Sequence, residues 1–189
     1  MANGNGFGVT RRGLLAAFAA TAVSAAPYYA HASGFLRGGG DIRRLRMYSG
    51  RTGERLDAIY WIDGRYVPEV LAEINFFMRD WRDNRQHQID TRTVDIMSAA
   101  HRLLQADEPY ALLSGFRSRQ TNAMLAARSR NVARNSLHLT GEAADLRLRS
   151  RSVRQMAQAA AALNAGGVGS YSRSDFVHMD CGPVRSWGA

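Results

Sequence analysis

Apolar and polar residues alternate over residues 45–60 and again over 143–148 and 167–180, while the stretch between carries its apolar residues at helical spacing. No other feature restricts the fold as much, because a period of two specifies strands and a period near 3.6 specifies helices. The first alternation runs through "RRLRMYSGRTGERLDAIYWIDGRYV", with Leu45 and Met47 on one arm and Leu56, Ala58 and Tyr60 on the other. It predicts a hairpin, with "DGR" at 63–65 making the next turn. Pro68 then opens a helix whose apolar positions are Val70, Leu71, Ile74, Phe77, Met78 and Trp81. A second helix is expected after "IDTR", capped by Thr91, with Val94, Ile96, Met97, Ala100, Leu103 and Leu104 on its apolar face. "YALLSGF" reads as a buried strand, "RQTNAMLAARS" as a weaker helix, and "EAADLRLR" as an alternating strand. "SVRQMAQAAAALN" forms a helix stopped by "AGG", and the final strands are "GVGSY" and "FVHMD". These intervals do not follow a βαβ rhythm. They predict a single α+β domain over residues 41–189, an antiparallel sheet with helices packed mainly on one side.

Ahead of that domain, "TRRGLL" at residues 10–15 sets a twin arginine before 13 uncharged residues, Leu14 to Ala26. Such a stretch is short of the roughly 20 apolar residues that span a bilayer, but it suits a signal peptide. "AHA" at 30–32 supplies the small residues of a cleavage site, and "SGFLRGGG" at 33–40 reads as a flexible lead-in. Residues 1–32 are therefore expected to direct twin-arginine export to the periplasm and then to be removed, leaving no membrane anchor. The single Cys181 cannot make an intramolecular disulfide, so the exported fold must be held by its core.

Charge excludes some partners. The formal charge is +9 and every basic residue is Arg; removal of Arg11 and Arg12 leaves 23 Arg against 16 acids, net +7. The arginines are scattered among acids, with no basic run and no stacking array, so nucleic acid is not an expected partner. A carboxylate-rich polymer suits such a surface better.

Two segments carry the chemistry. "NSLHLTGEAADLRL" sets His138 seven residues before Asp145, and "SDFVHMD" places His178 thirty-three residues beyond. In a strand, His178, Asp180 and Phe176 share one face, opposite Val177 and Met179. Two imidazoles and a carboxylate are the ligand number of a catalytic zinc. Taken alone, the spacing is a weak pattern, and His87 and His101 are read as structural.

The surroundings are more specific. "SLHLTGEAAD" follows the SxHxxGxAxD motif of the D-alanyl-D-alanine carboxypeptidase-like zinc peptidases, whose metal site is shared with VanX-type dipeptidases and Hedgehog amino-terminal domains. "YSGRTGE", "YWIDGRY", "EINFFMRDWR", "SGFRS", "GEAADLRL" and "GGVGSY" resemble the MepK-type periplasmic murein endopeptidases over most of the mature chain. The resemblance implies one zinc per chain on His138, Asp145 and His178, with peptidoglycan as substrate. It places Ser136 and Arg117 against the substrate, with Arg117 either clamping a carboxylate or steadying the charge on the tetrahedral intermediate. It makes Asp175, three residues before His178, the expected general base; Asp180, on the same strand face as His178, is the competing base or a partner of a ligand. Cys181 departs from the pattern and is read as a small packed residue. Two other readings remain, a DD-carboxypeptidase that trims terminal D-alanine and a non-catalytic cell-wall-binding module.

Overall fold

A computed structural model describes residues 42–129 and 132–188. The expected export signal (1–32) and lead-in (33–40) lie outside the described residues. The described strands form one eight-stranded sheet in the order β3-β2-β1-β4-β5-β7-β6-β8. Strand β1 (Ile42–Tyr48) pairs antiparallel with β2 (Arg55–Ile62), bringing Met47 opposite Leu56 as the alternation requires. Asp63 and Gly64, both at positive φ, make the two-residue turn into β3 (Arg65–Tyr66). The later strands are β4 (Tyr110–Ser114), β5 (Ala143–Arg147), β6 (Gly167–Tyr171), β7 (Phe176–Asp180) and β8 (Arg185–Gly188). Among the described strands only β1 with β4 and β6 with β8 run parallel.

Helix α1 (Pro68–Phe77) starts on Pro68 as expected but ends before Trp81. The buried carboxylate of Asp80 is drawn off to the backbone N–H groups of Arg82 (3.2 Å) and Ser118 (2.9 Å), which leaves the following chain in a tight loop closed by Asp80 and Arg85. Helix α2 (Thr91–Leu103) is capped by Asp90, not by Thr91: the Asp90 side chain accepts from the Arg92 N–H at 2.8 Å. Leu103 is 53 % exposed, so it leaves the apolar face assigned to it. Helix α3 (Arg119–Arg128) is capped by Ser118, and α4 (Val153–Ala162) by a reciprocal Ser152–Gln155 box.

Helices α2 and α4 pack on each other and over β1, β6 and β7. Beneath them, Ala144 and Leu146 of β5 and Val177 and Met179 of β7 are fully buried in the core with Val94, Met97 and Met156. Each large apolar side chain buried there contributes about 1.5–3 kcal/mol. Strand alternation turns Asp145 to the opposite face of β5, and His178 and Asp180 to the opposite face of β7. Helix packing on one side thus leaves the other side of the central strands available for chemistry. Strand β8 was not expected. Its four residues alternate too briefly to announce a strand, and it exists because Gly167 to Ser170 offer it an edge.

Candidate functional site

Cross-strand register creates the first contact of the site. Asp145 and His178 are direct partners in the β5–β7 ladder, so their side chains rise side by side. His138 comes from a 3-10 turn, Leu137–Thr140, in which the Ser136 hydroxyl accepts from the His138 N–H. Gly141 ends that turn at φ 72°, and a Cβ there would stand 2.3 Å from the Gln88 carbonyl oxygen. The chain can therefore fold back into β5 only with glycine at this position. Gly141→Ala is expected to cost about 2 kcal/mol or more in unfolding free energy, from left-handed strain plus the clash. Denaturant titration of the two proteins measures it, and an unchanged midpoint would refute the account.

The donor set is arranged for a cation. His138 is buried; its Nδ1–H donates to the Gly115 carbonyl at 2.6 Å, so Nε2 carries the lone pair. His178 Nε2–H donates to Asp180 Oδ2 at 3.0 Å, which leaves the Nδ1 lone pair pointing inward. His138 Nε2 and His178 Nδ1 stand 3.2 Å apart, and Asp145 Oδ1 lies 3.2 Å from the first and 2.9 Å from the second. With both imidazoles neutral, these two nitrogens and the carboxylate oxygen present three acceptors to one another and no proton. Ligands about 2.0–2.1 Å from a tetrahedral zinc stand about 3.3 Å apart, close to these spacings. Oriented imidazoles of this kind, each tied by its other nitrogen, are the usual support of a metal ligand.

Electrostatics agree at His138 and Asp145. Burial lowers the His138 imidazole below its usual range and keeps it neutral. Burial pushes the Asp145 carboxyl up, but His138, His178 and Arg117 outweigh it and leave Asp145 well below the usual carboxylate range. Burial opposes charge on His178 too, yet its hydrogen bonds to Asp145 and Asp180 bring it up to about 9. At neutral pH the ring therefore carries a proton on Nδ1 against Asp145, in the place a bound cation would take, and the position strongly favours positive charge.

Arg117 bounds the site on one side. Its Nη2 donates to Asp145 Oδ2 and lies 3.1 Å from His138 Nε2, while Nε donates to the Ser114 hydroxyl at 2.8 Å. Asp180 lies behind His178. Its carboxylate is 0 % exposed and also accepts from the Gly167 and Gly182 N–H groups and from Arg185. Burial opposes its ionisation, but the bonds from His178 and Arg185 bring it down to about 2. Asp175 departs from the expected placement. "SRSD" does form a turn, but it does not curve the carboxylate over the three donors: the carboxylate pairs with Arg147 Nε at 3.0 Å and is 62 % exposed. Arg147 also donates to the Ser174 and Asp175 carbonyls, which holds the turn in that direction.

The three donors open into a cleft of about 400 Å³, lined also by Arg117, Ser136, Tyr171, Phe176, Arg185 and Trp187. Sequence reasoning missed Tyr171, Arg185 and Trp187 as wall residues, because two of them stand on the unanticipated β8. A larger groove of about 570 Å³ between β1 and α2 holds none of the candidate residues, and its Arg43 and Arg44 are paired with Asp95 and Asp57. His87 stacks on Phe116, and His101 donates to the Glu108 carbonyl at 2.7 Å, both in structural roles. Cys181 packs into the core, where burial pushes its thiol up to about 11. It approaches Asp90 and Glu142, but Arg92 already lies on those acids at 2.7 and 3.7 Å.

Comparison with known proteins gives a consistent match. Residues 37–187 match the family model described as "Peptidoglycan L,D-endopeptidase MepK". The chain is 42 % identical over 146 residues to the protein of that name from Escherichia coli (strain K12), which covers 77 % of this chain and 80 % of that one. The Shigella flexneri protein of the same name matches with the same figures. The "Probable peptidoglycan L,D-endopeptidase MepK" of Haemophilus influenzae is 36 % identical over 146 residues, 77 % of this chain and 78 % of that one.

Proposed function

This chain belongs to the peptidoglycan L,D-endopeptidase MepK family, and from that membership we propose that it hydrolyses L,D peptide cross-links of peptidoglycan with one zinc ion held by His138, Asp145 and His178. The observation that carries the metal assignment is the convergence of two imidazole lone pairs and a carboxylate oxygen within 3.2 Å, with both ring tautomers set by hydrogen bonds. Zinc in such a site supplies a water ionisable near neutral pH and polarises the scissile carbonyl. The protein does the rest. Arg117, fastened to Asp145, places a permanent positive charge at the cleft wall, where negative charge develops on the carbonyl oxygen during hydrolysis. Ser136 holds the turn that carries His138 while lining the cleft where the stem peptide would lie. Asp180 is a positioning residue, because all its acceptor capacity is spent on His178, Arg185 and two backbone amides. The arginine-rich surface favours encounter with an anionic polymer. Residues 1–32 are proposed to take the chain to the periplasm by the twin-arginine route, where that polymer lies.

Purified mature protein incubated with muropeptides separates this reading from its rivals. L,D-cross-linked dimers should fall to monomers, chelation should stop the reaction, and added zinc should restore it. Release of terminal D-alanine alone would make it a carboxypeptidase. A zinc-loaded protein that binds murein without turnover would be a binding module.

A further inference from the structure

We infer that Arg185 is the specificity residue that reads the free carboxylate beside the scissile nitrogen of an L,D cross-link; the inference rests on the proposed endopeptidase function. In a bond between two diaminopimelates, the leaving amine sits on a D-configured α-carbon. That carbon also carries a carboxylate, two bonds from the scissile nitrogen. A cleft that accepts this linkage must pair or solvate that charge, since desolvating an unpaired carboxylate is costly. Among the described residues, two arginines line the cleft. Arg117 is a poor candidate: its Nε and Nη2 are engaged by Ser114, Asp145 and His138, and the residue is only 9 % exposed.

Arg185 differs on each count. Its side chain is 42 % exposed in the same cleft, yet held in place from behind. Nη2 donates to Asp180 Oδ2 at 2.7 Å, and Nη1 donates to the Pro183 carbonyl at 2.9 Å. The guanidinium lies 4.8 Å from the Trp187 ring, and Trp187 is itself fixed by donating to the Tyr171 hydroxyl at 2.9 Å. Gly167 gives it room, since a Cβ there would come within 2.5 Å of Nη1. Nη1 also donates to Asp180 Oδ1 at 3.2 Å, whereas Nε and the second N–H of Nη2, which share the other edge, have no protein acceptor among the described residues. A guanidinium immobilised on one edge and open on the other is preorganised for a carboxylate. Through Asp180, it is also only two hydrogen bonds from the His178 ring, near where the scissile bond must lie.

The test uses two L,D-cross-linked tripeptide dimers, identical except that the carboxylate next to the scissile nitrogen is free in one and amidated in the other. Wild-type zinc-loaded protein should favour the free acid by about tenfold or more in kcat/KM. Arg185→Lys, which keeps a charge on Asp180, and Arg185→Gln should both bring that ratio toward one, mainly by raising KM for the free acid. Arg185 would be merely a structural partner of Asp180 if both variants lose rate equally on the two dimers with the ratio intact. A wild-type ratio of one would overturn the inference directly. Failure of the wild type to cleave either dimer would instead remove the endopeptidase reading, and this inference with it.

Discussion

Alanine in place of His138 is expected to release most of the bound zinc and to lower cross-link hydrolysis by about a thousandfold or more. A metal centre of this kind supplies several kcal/mol of transition-state stabilisation, and about 4 kcal/mol corresponds to about a thousandfold in rate. The loss falls on metal binding because His138 is the most rigidly presented donor: buried, bonded through Nδ1 to Gly115, and carried by a backbone that also accepts from the Arg117 N–H at 2.9 Å. Removing the ring leaves Asp145 paired with Arg117, so two protein donors remain and the ion loses its third. The substitution also opens a cavity and orphans the Gly115 carbonyl. Circular dichroism and a denaturant midpoint must therefore accompany metal analysis and the dimer assay. A folded His138→Ala protein with full zinc and near-normal turnover would disprove the proposed ligand set.

How much of this was legible in the sequence depends on the range of the forces involved. Strands and helices were readable wherever one face is buried, as at Leu45 and Met47 or Val177 and Met179, because burial writes its period into the chain. The pairing of Asp145 with His178 was readable in outline, since two strands with one polar face each need only be neighbours. Boundaries set by a single side chain were not. Asp80 ends α1 by bonding to Ser118, thirty-eight residues away, and Asp90 displaces Thr91 as a cap through its own carboxylate. Strand β8 was illegible for the same reason: its parallel pairing with β6 is a long-range event with no local signature. The direction of Asp175 depends on Arg147, which the local polarity of "SRSD" does not disclose.

That last contact divides the two carboxylates that flank His178. Asp180→Asn should weaken zinc binding and lower activity by about 10–100-fold, the usual consequence of losing the partner that orients a ligating imidazole. An amide at this position has one acceptor to share between Arg185, His178 and two backbone amides, and its own N–H groups would face the His178 Nε2–H. The ring can then escape the clash only by moving its proton to Nδ1, which removes the lone pair aimed at His138 and Asp145. Asp175→Asn should stay within about twofold of wild type. Asn tolerates the left-handed backbone at φ 53° as readily as Asp. The exposed Arg147 pair that it gives up is worth about 0–1 kcal/mol. Zinc content, dimer hydrolysis and melting temperature measured on both variants decide between them. If Asp175→Asn loses about a hundredfold with zinc retained while Asp180→Asn is unharmed, Asp175 must leave Arg147 to take a proton in the cleft. A harmless Asp175→Asn beside a crippled Asp180→Asn places the essential carboxylate behind the imidazole, where it holds Nε2–H and keeps His178 Nδ1 aimed at the other two donors.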